Sequence, residues 1–139
     1  MEYSIGVGLA LAISLGARFI GLDRDRAFYP TVMVVIAFYY GLFAIMGGSM
    51  SALAMESIGI AGFSFVAMLG FKSNLWLVVA ALFVHGVQDV FHGHLITNPG
   101  VPAWWPSFCS AYDVTASGYL AWLLRTGRIS ARPRESTSS

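Results

Sequence analysis

Apolar residues fill five long stretches of the chain, and short polar segments separate them. The stretches run at about 3–20, 28–47, 51–71, 75–96 and 105–124, and the breaks lie at 21–26, 47–49, 72–74 and 97–102. Each break contains charges or turn-forming residues such as Gly, Asn and Pro. Because the hydrocarbon core of a bilayer is crossed by about 20 mostly apolar residues in a helix, the pattern predicts an all-α, polytopic membrane helix bundle of five transmembrane helices.

The basic residues give this bundle an orientation. With five spans, the first loop, the third loop and the C-terminal segment share one side, and every Lys and Arg falls there: Arg18, Arg24, Arg26, Lys72, Arg125, Arg128, Arg132 and Arg134. The positive-inside rule makes that side cytoplasmic. We therefore predict that the N-terminus lies outside and the C-terminus inside. A count of four spans would scatter these charges over both sides.

Composition supports one membrane domain. Of the 139 residues 57% are hydrophobic and 11% are charged, against about a quarter charged in soluble domains. We predict a transmembrane domain over 1–126 and a mobile, basic and Ser-rich cytoplasmic tail over 127–139. The start of the chain lacks the basic region of a signal peptide, so the first apolar stretch is expected in the mature protein. The expected location is a bacterial inner membrane, with a eukaryotic membrane as the alternative.

Charge and cysteine content exclude several classes of function. The formal net charge is +1, and no basic stripe lies outside the tail, so nucleic acid is not an expected partner. The single cysteine, Cys109, excludes an internal disulfide and a multi-cysteine metal knuckle. The sequence contains no phosphate loop or nucleotide-binding fingerprint.

Three carboxylates lie inside predicted spans: Glu56, Asp89 and Asp113. A charged side chain in hydrocarbon costs about 2.5–3.5 kcal/mol on insertion scales, so such residues are usually paired or functional. All lysines and arginines lie at the inner surface, and none is placed to neutralise these acids. Protonation, hydrogen bonding, a bound cation or histidine must therefore stabilise them.

Histidine is available at the outer end of the fourth span. His85, Gln88, Asp89 and His92 have the spacing i, i+3, i+4, i+7, which places them on one face of a helix. Topology brings other polar groups to the outer half. At 1.5 Å per residue, Glu56 lies about 9 Å, Cys109 about 6 Å and Asp113 about 12 Å below the outer surface. Two possible hydrogen-bond donors near mid-depth in the second span are Tyr39 and Tyr40.

Imidazoles and carboxylates together are typical ligands of a divalent transition metal. We predict that the metal ligands are His85, Asp89, His92 and Asp113. Zinc is the favoured ion and iron is possible. The predicted catalytic proton acceptors are Asp113 and Glu56. The open alternatives are a hydrogen-bonded polar core that fixes helix register, and a proton or substrate pathway without metal. His94 is expected to point away from the site, and Cys109 is expected to be a small buried residue.

The pattern His85-x3-Asp89-x2-His92, then Asn98-Pro99, then Cys109-x3-Asp113 resembles a bacterial family of small multi-span membrane proteins of unknown function. Tyr112 stands where that family has a second cysteine, so the resemblance implies a site without two-thiol chemistry and names no reaction. The histidines and aspartates within membrane helices also resemble, as chemistry only, the zinc-dependent hydrolases of the ceramidase and adiponectin-receptor type.

These features favour a metal-dependent hydrolase acting on a lipid or another apolar substrate in the outer leaflet. One alternative is a non-enzymatic accessory or binding subunit of a larger membrane complex, and another is an iron-dependent oxidase or desaturase. A small transporter is less favoured because the acids in the spans lie in the outer half. The expected partners are membrane lipid, a lipid-like substrate, and either further copies of this chain or a larger complex.

Overall fold

The computed structural model describes residues 1–135, and these residues form five helices and no strand. The helices are α1 (Glu2–Ile20), α2 (Phe28–Met46), α3 (Met50–Lys72), α4 (Trp76–Leu95) and α5 (Trp105–Arg125). Their bounds agree closely with the five apolar stretches of the sequence. The predicted all-α bundle is confirmed.

Four of the helices, α1 to α4, are long and apolar enough to cross a membrane. The fifth, α5, has 21 residues and is also long enough, since about 20 residues span the hydrocarbon core. It is less hydrophobic because it carries several polar side chains that are buried in the bundle, namely Ser110, Asp113 and Ser117. The polarity of α5 therefore faces the protein interior.

The helices pack as an open arc in the order α1, α5, α4, α3, α2, with α2 also touching α4. Helix α1 approaches α5 closely at Gly6, where a Cβ atom would collide with the backbone oxygen of Phe108. Large apolar side chains, including Met33, Val78, Leu82 and Leu120, fill the half of the bundle that contains the C-terminal end of α5. The buried histidine and aspartate side chains between α4 and α5, His85, Asp89 and Asp113, lie in the other half.

The first loop, the third loop and the C-terminal segment meet at one end of the bundle, as predicted. The guanidinium of Arg26 donates hydrogen bonds to the backbone oxygens of Ser130 and Phe71. The backbone N–H of Leu75 donates to the oxygen of Ala131 at 2.8 Å. The basic residues of these three segments therefore share one end of the molecule.

The segment predicted as a mobile tail begins with residues that contact the bundle. Ile129 is buried, and the guanidinium of Arg128 lies 4.6 Å from the centre of the Trp122 ring. Residues 136–139 of that segment lie outside the described residues. The boundary at 126–127 and the mobility of the tail stay predictions.

Candidate metal centre

Two pairs of side chains, each spaced i, i+4, meet between α4 and α5. His85 and Asp89 come from α4, and Cys109 and Asp113 come from α5. The two helices approach closely at Gly86, where an added Cβ atom would lie 3.1 Å from Cβ of Asp113. As a result, one possible ligand atom from each of the four residues lies within 4.8 Å of the other three. All four side chains are at most 2% exposed.

Hydrogen bonds hold this four-residue group together. Nδ1 of His85 lies 2.7 Å from Oδ2 of Asp113 and 3.6 Å from Oδ2 of Asp89. The Cys109 thiol donates to the same Asp113 oxygen at 3.8 Å, and the hydroxyl of Tyr40 on α2 donates to Oδ1 of Asp89 at 2.6 Å. Three helices thus contribute to one polar centre.

Two carboxylate oxygens in this group have no hydrogen-bond partner among the described residues. They are Oδ2 of Asp89 and Oδ1 of Asp113, and both are buried. No Lys or Arg of residues 1–135 forms an ion pair with either carboxylate. A buried carboxylate oxygen without a hydrogen-bond partner is costly, and His85 can supply at most one positive charge to the two carboxylates. A divalent cation would supply further positive charge.

The donor types and spacing fit such an ion. Zinc is bound by His nitrogen, Cys sulfur and carboxylate oxygen at about 2.0–2.3 Å in tetrahedral geometry, so two of its ligand atoms are about 3.3–3.8 Å apart. The observed limit of 4.8 Å exceeds the upper value by about 1 Å, so the side chains would have to rotate inward by about that distance to bind the ion. We conclude that His85, Asp89, Cys109 and Asp113 could hold a metal ion.

A second buried cluster lies next to the four-residue group. Nε2 of His92 is 2.7 Å from Oε1 of Glu56, and the amide of Asn98 donates to the same oxygen at 2.9 Å. Asn98 also donates to the backbone oxygen of Tyr40. The carboxylate of Glu56 therefore has two neighbours that can donate to it, and the loop after α4 covers the outer side of the centre.

Tyr40 connects the two clusters. Its ring stacks on the ring of His92, with 4.1 Å between centroids and 20° between planes, while its hydroxyl contacts Asp89. A cavity of about 10 Å³ is lined by both Glu56 and His85, and a volume of about 10–15 Å³ is the smallest that holds one water. Among the described residues, no hydrogen bond joins a side chain of one cluster directly to a side chain of the other. Both clusters nevertheless line the same water-sized cavity.

The predicted site residues all lie in this region, and their roles stay predictions. His92 was predicted as a metal ligand, but it pairs with Glu56 and is not one of the four residues within 4.8 Å. The fourth residue of that group is Cys109. His94 is exposed, as expected.

Asn98 was missed as a functional residue because its sequence context, Asn-Pro-Gly, signals only a turn. Its amide nevertheless reaches both Glu56 and the backbone of α2. Two signals were available: its position shortly after the histidine-rich end of α4, and its place in the Asn98-Pro99 part of the pattern that carries the family resemblance.

No protein-family model, curated protein or solved structure matches this chain. The proposed function must therefore be derived from the geometry of the two clusters and from the membrane-like character of the helices.

Proposed function

We propose that the protein is a membrane-embedded, metal-dependent hydrolase that acts on a lipid or another apolar substrate in the outer leaflet. The observation that carries this proposal is the buried group of His85, Asp89, Cys109 and Asp113, in which two carboxylate oxygens have no hydrogen-bond partner within residues 1–135. Within a bundle whose helices suit a membrane, the substrate that can reach such a centre directly is itself apolar.

The four residues of this group would hold the ion, and zinc suits them best. A mixture of thiol, imidazole and carboxylate is typical of zinc. Di-iron carboxylate sites in helical bundles use more carboxylates and a second histidine, which favours zinc over the iron-dependent oxidation that the sequence left open. When bound, a divalent ion would polarise a carbonyl group and acidify water.

A residue of the protein would then accept the proton that is removed from water. Glu56 lines the water-sized cavity that His85 also lines, and this supports a role for its carboxylate as the proton acceptor for a water molecule there. His92 and Asn98 hold one oxygen of this carboxylate and orient the other. We assign Glu56 as the proton acceptor and Asp113 as a residue that binds the ion and positions His85.

In hydrolysis of an ester or amide, water adds to the carbonyl carbon and the bond to the leaving oxygen or nitrogen breaks. The proton removed from water passes through the acceptor to that leaving atom. The products are a fatty acid and the remaining alcohol or amine. No oxidant or reductant is required.

The proposed location is the bacterial inner membrane, with the basic end of the bundle in the cytoplasm. The clusters then lie toward the outer leaflet. The proposed partners are membrane lipid as the substrate source and, at the exposed helix faces, further copies of this chain or a larger membrane complex.

Release of fatty acid from radiolabelled lipid extract tests the proposal in vesicles that contain the purified protein and zinc. We expect release by the wild type and a loss of at least about 100-fold in Glu56→Gln. The matched control is Asp25→Asn, which changes an acid at the opposite end of the bundle and should retain full release. Absence of release by a wild type that still co-purifies with other membrane proteins would favour the accessory-subunit alternative.

A further inference from the structure

An apolar groove runs between α1 and α2, where the arc of helices is open. In the described chain, α1 packs extensively on α5, α2 packs on α3, and α1 and α2 make no extensive contact. The resulting cavity has a volume of about 460 Å³, within the range of about 300–1,000 Å³ that is typical of small-molecule sites. Its walls include Leu9 and Ile13 of α1 and Val35 and Ile36 of α2, and its floor includes Phe108 and Tyr112 of α5.

The groove is oriented along the helices. Its lining on α2 extends from Phe28 to Tyr39, which corresponds to about 16 Å at 1.5 Å per residue. Because these helices are long and apolar enough to cross a membrane, the groove lies at the depth of the hydrocarbon and parallel to its chains. Its shape and direction match an extended acyl chain.

Four residues with hydrogen-bonding side chains interrupt the apolar lining of the groove, namely Thr31, Tyr39, Trp105 and Tyr112. Trp105 lines the groove, and its indole Nε1 is buried without a hydrogen-bond partner in residues 1–135. An indole N–H can only donate, and because this one is buried, rotation of the ring would have to bring it to an acceptor in the groove, such as a carbonyl oxygen. Toward the inner end, Thr31 already donates its hydroxyl hydrogen to the backbone of Ala27.

The groove also reaches the metal centre. Cys109 forms part of its wall, and the thiol of the same residue donates to Asp113. The side chain of Cys109 therefore lies between the groove and the Asp113 carboxylate. A chain lying in the groove would place its polar end beside Cys109.

We propose that the groove between α1 and α2 binds one acyl chain of a membrane lipid, whose carbonyl oxygen accepts a hydrogen bond from Trp105 beside Cys109. This assignment rests on the proposed function for its role in catalysis, since it names the substrate class of the same centre. The acyl chain enters sideways from the bilayer, and the hydrocarbon extends toward the inner half of the groove.

Photolabelling maps the bound chain directly. The probe is a phospholipid with a diazirine at the middle of one acyl chain, incorporated into vesicles with the purified full chain and analysed by peptide mass spectrometry. We expect concentrated labelling of the three groove segments, 9–13, 28–39 and 105–112. Uniform labelling of all lipid-facing helices would overturn the proposal, as would a second copy of the chain crosslinked across the groove in place of lipid.

Val35→Trp tests the same point by filling the groove. We expect labelling of 105–112 to fall about tenfold, and Leu9→Trp should act in the same way if Val35→Trp folds poorly. Val90→Trp is the matched control because Val90 is 55% exposed, close to the 50% of Val35, but lies on α4 away from the groove. Equal labelling in Val35→Trp and Val90→Trp would contradict the proposal.

Trp105→Phe removes the N–H donor and keeps an aromatic ring. We expect the ester-linked probe to label the groove several-fold more than an ether-linked probe, which lacks the carbonyl, and Trp105→Phe to abolish that preference. No preference in the wild type would overturn the role of Trp105.

Metal analysis of the same samples separates the two proposals. Groove labelling by a protein that binds no metal supports the lipid site and removes the hydrolase. Stoichiometric metal with uniform labelling removes the lipid site and leaves the metal centre in place.

Discussion

Tyr40 has more than one role among the buried residues. Its hydroxyl donates to Asp89 at 2.6 Å, its ring stacks on His92, and its backbone oxygen accepts from Asn98. A buried carboxylate that loses such a donor keeps the full cost of desolvation. Tyr40 therefore stabilises Asp89 and positions the two clusters relative to each other.

Tyr40→Phe should lower the free energy of unfolding by about 1–3 kcal/mol because it leaves Oδ1 of Asp89 without its donor. Thermal unfolding in detergent micelles measures this change. The control is Tyr39→Phe, since the Tyr39 side chain is 38% exposed and that variant should unfold close to the wild type. Equal melting temperatures for both variants would show that the Tyr40 hydroxyl contributes little.

At this scale the sequence predicted part of the site. The i, i+4 spacing places His85 with Asp89 and Cys109 with Asp113 on helix faces, and the absence of nearby basic residues predicts a shortage of positive charge. Such spacing does not specify how α4 is rotated about its own axis relative to α3 and α5. For that reason the pairing of His92 with Glu56, and the inclusion of Cys109 in the four-residue group, could not be predicted.

At the scale of the elements, packing around α5 determines the shape of the bundle. α5 contacts both α1 and α4 extensively, and the close approach of α1 depends on Gly6. The apolar stretches predicted where each helix begins and ends. They did not predict that α1 and α2, which are consecutive in the chain, would leave a groove between them, because hydropathy does not specify which helices pack together.

Gly6→Ala should destabilise the protein by about 1–3 kcal/mol, the usual cost of overpacking, because the new methyl group would collide with the backbone of α5. The matched control is Gly8→Ala, where nothing lies within 4 Å of the added carbon. That variant should be neutral or stabilised by up to about 1 kcal/mol. Thermal unfolding compares the two, and similar losses of stability would contradict the α1–α5 contact.

At the scale of the whole molecule, the basic residues and the two buried clusters lie toward opposite ends of the bundle. Basic residues gather at the end formed by the first loop, the third loop and the C-terminal segment, where the buried Asp23 also lies, whereas the residues of the two buried clusters lie toward the other end. This separation follows from the alternation of five helices and was predictable from the order of charges along the chain. The predicted orientation assigns the basic end to the cytoplasm.

Cysteine accessibility tests the orientation. Thr97→Cys places a thiol in the exposed loop before α5, and Ser73→Cys places one in the exposed loop at the basic end. In intact cells, a membrane-impermeant maleimide should label Thr97→Cys, and it should label Ser73→Cys only after permeabilisation. The wild type is the control because its Cys109 is buried, and the reverse labelling pattern would invert the topology.

The metal content of the purified protein tests the central claim most directly. We predict about one zinc ion per chain in the wild type and in His94→Ala, whose histidine is exposed, and a loss of most of that metal in His85→Ala. Elemental mass spectrometry of folded samples gives the ratio of metal to protein. A wild type without stoichiometric metal, or equal metal in His85→Ala and His94→Ala, would contradict the assignment of the buried group as a metal centre.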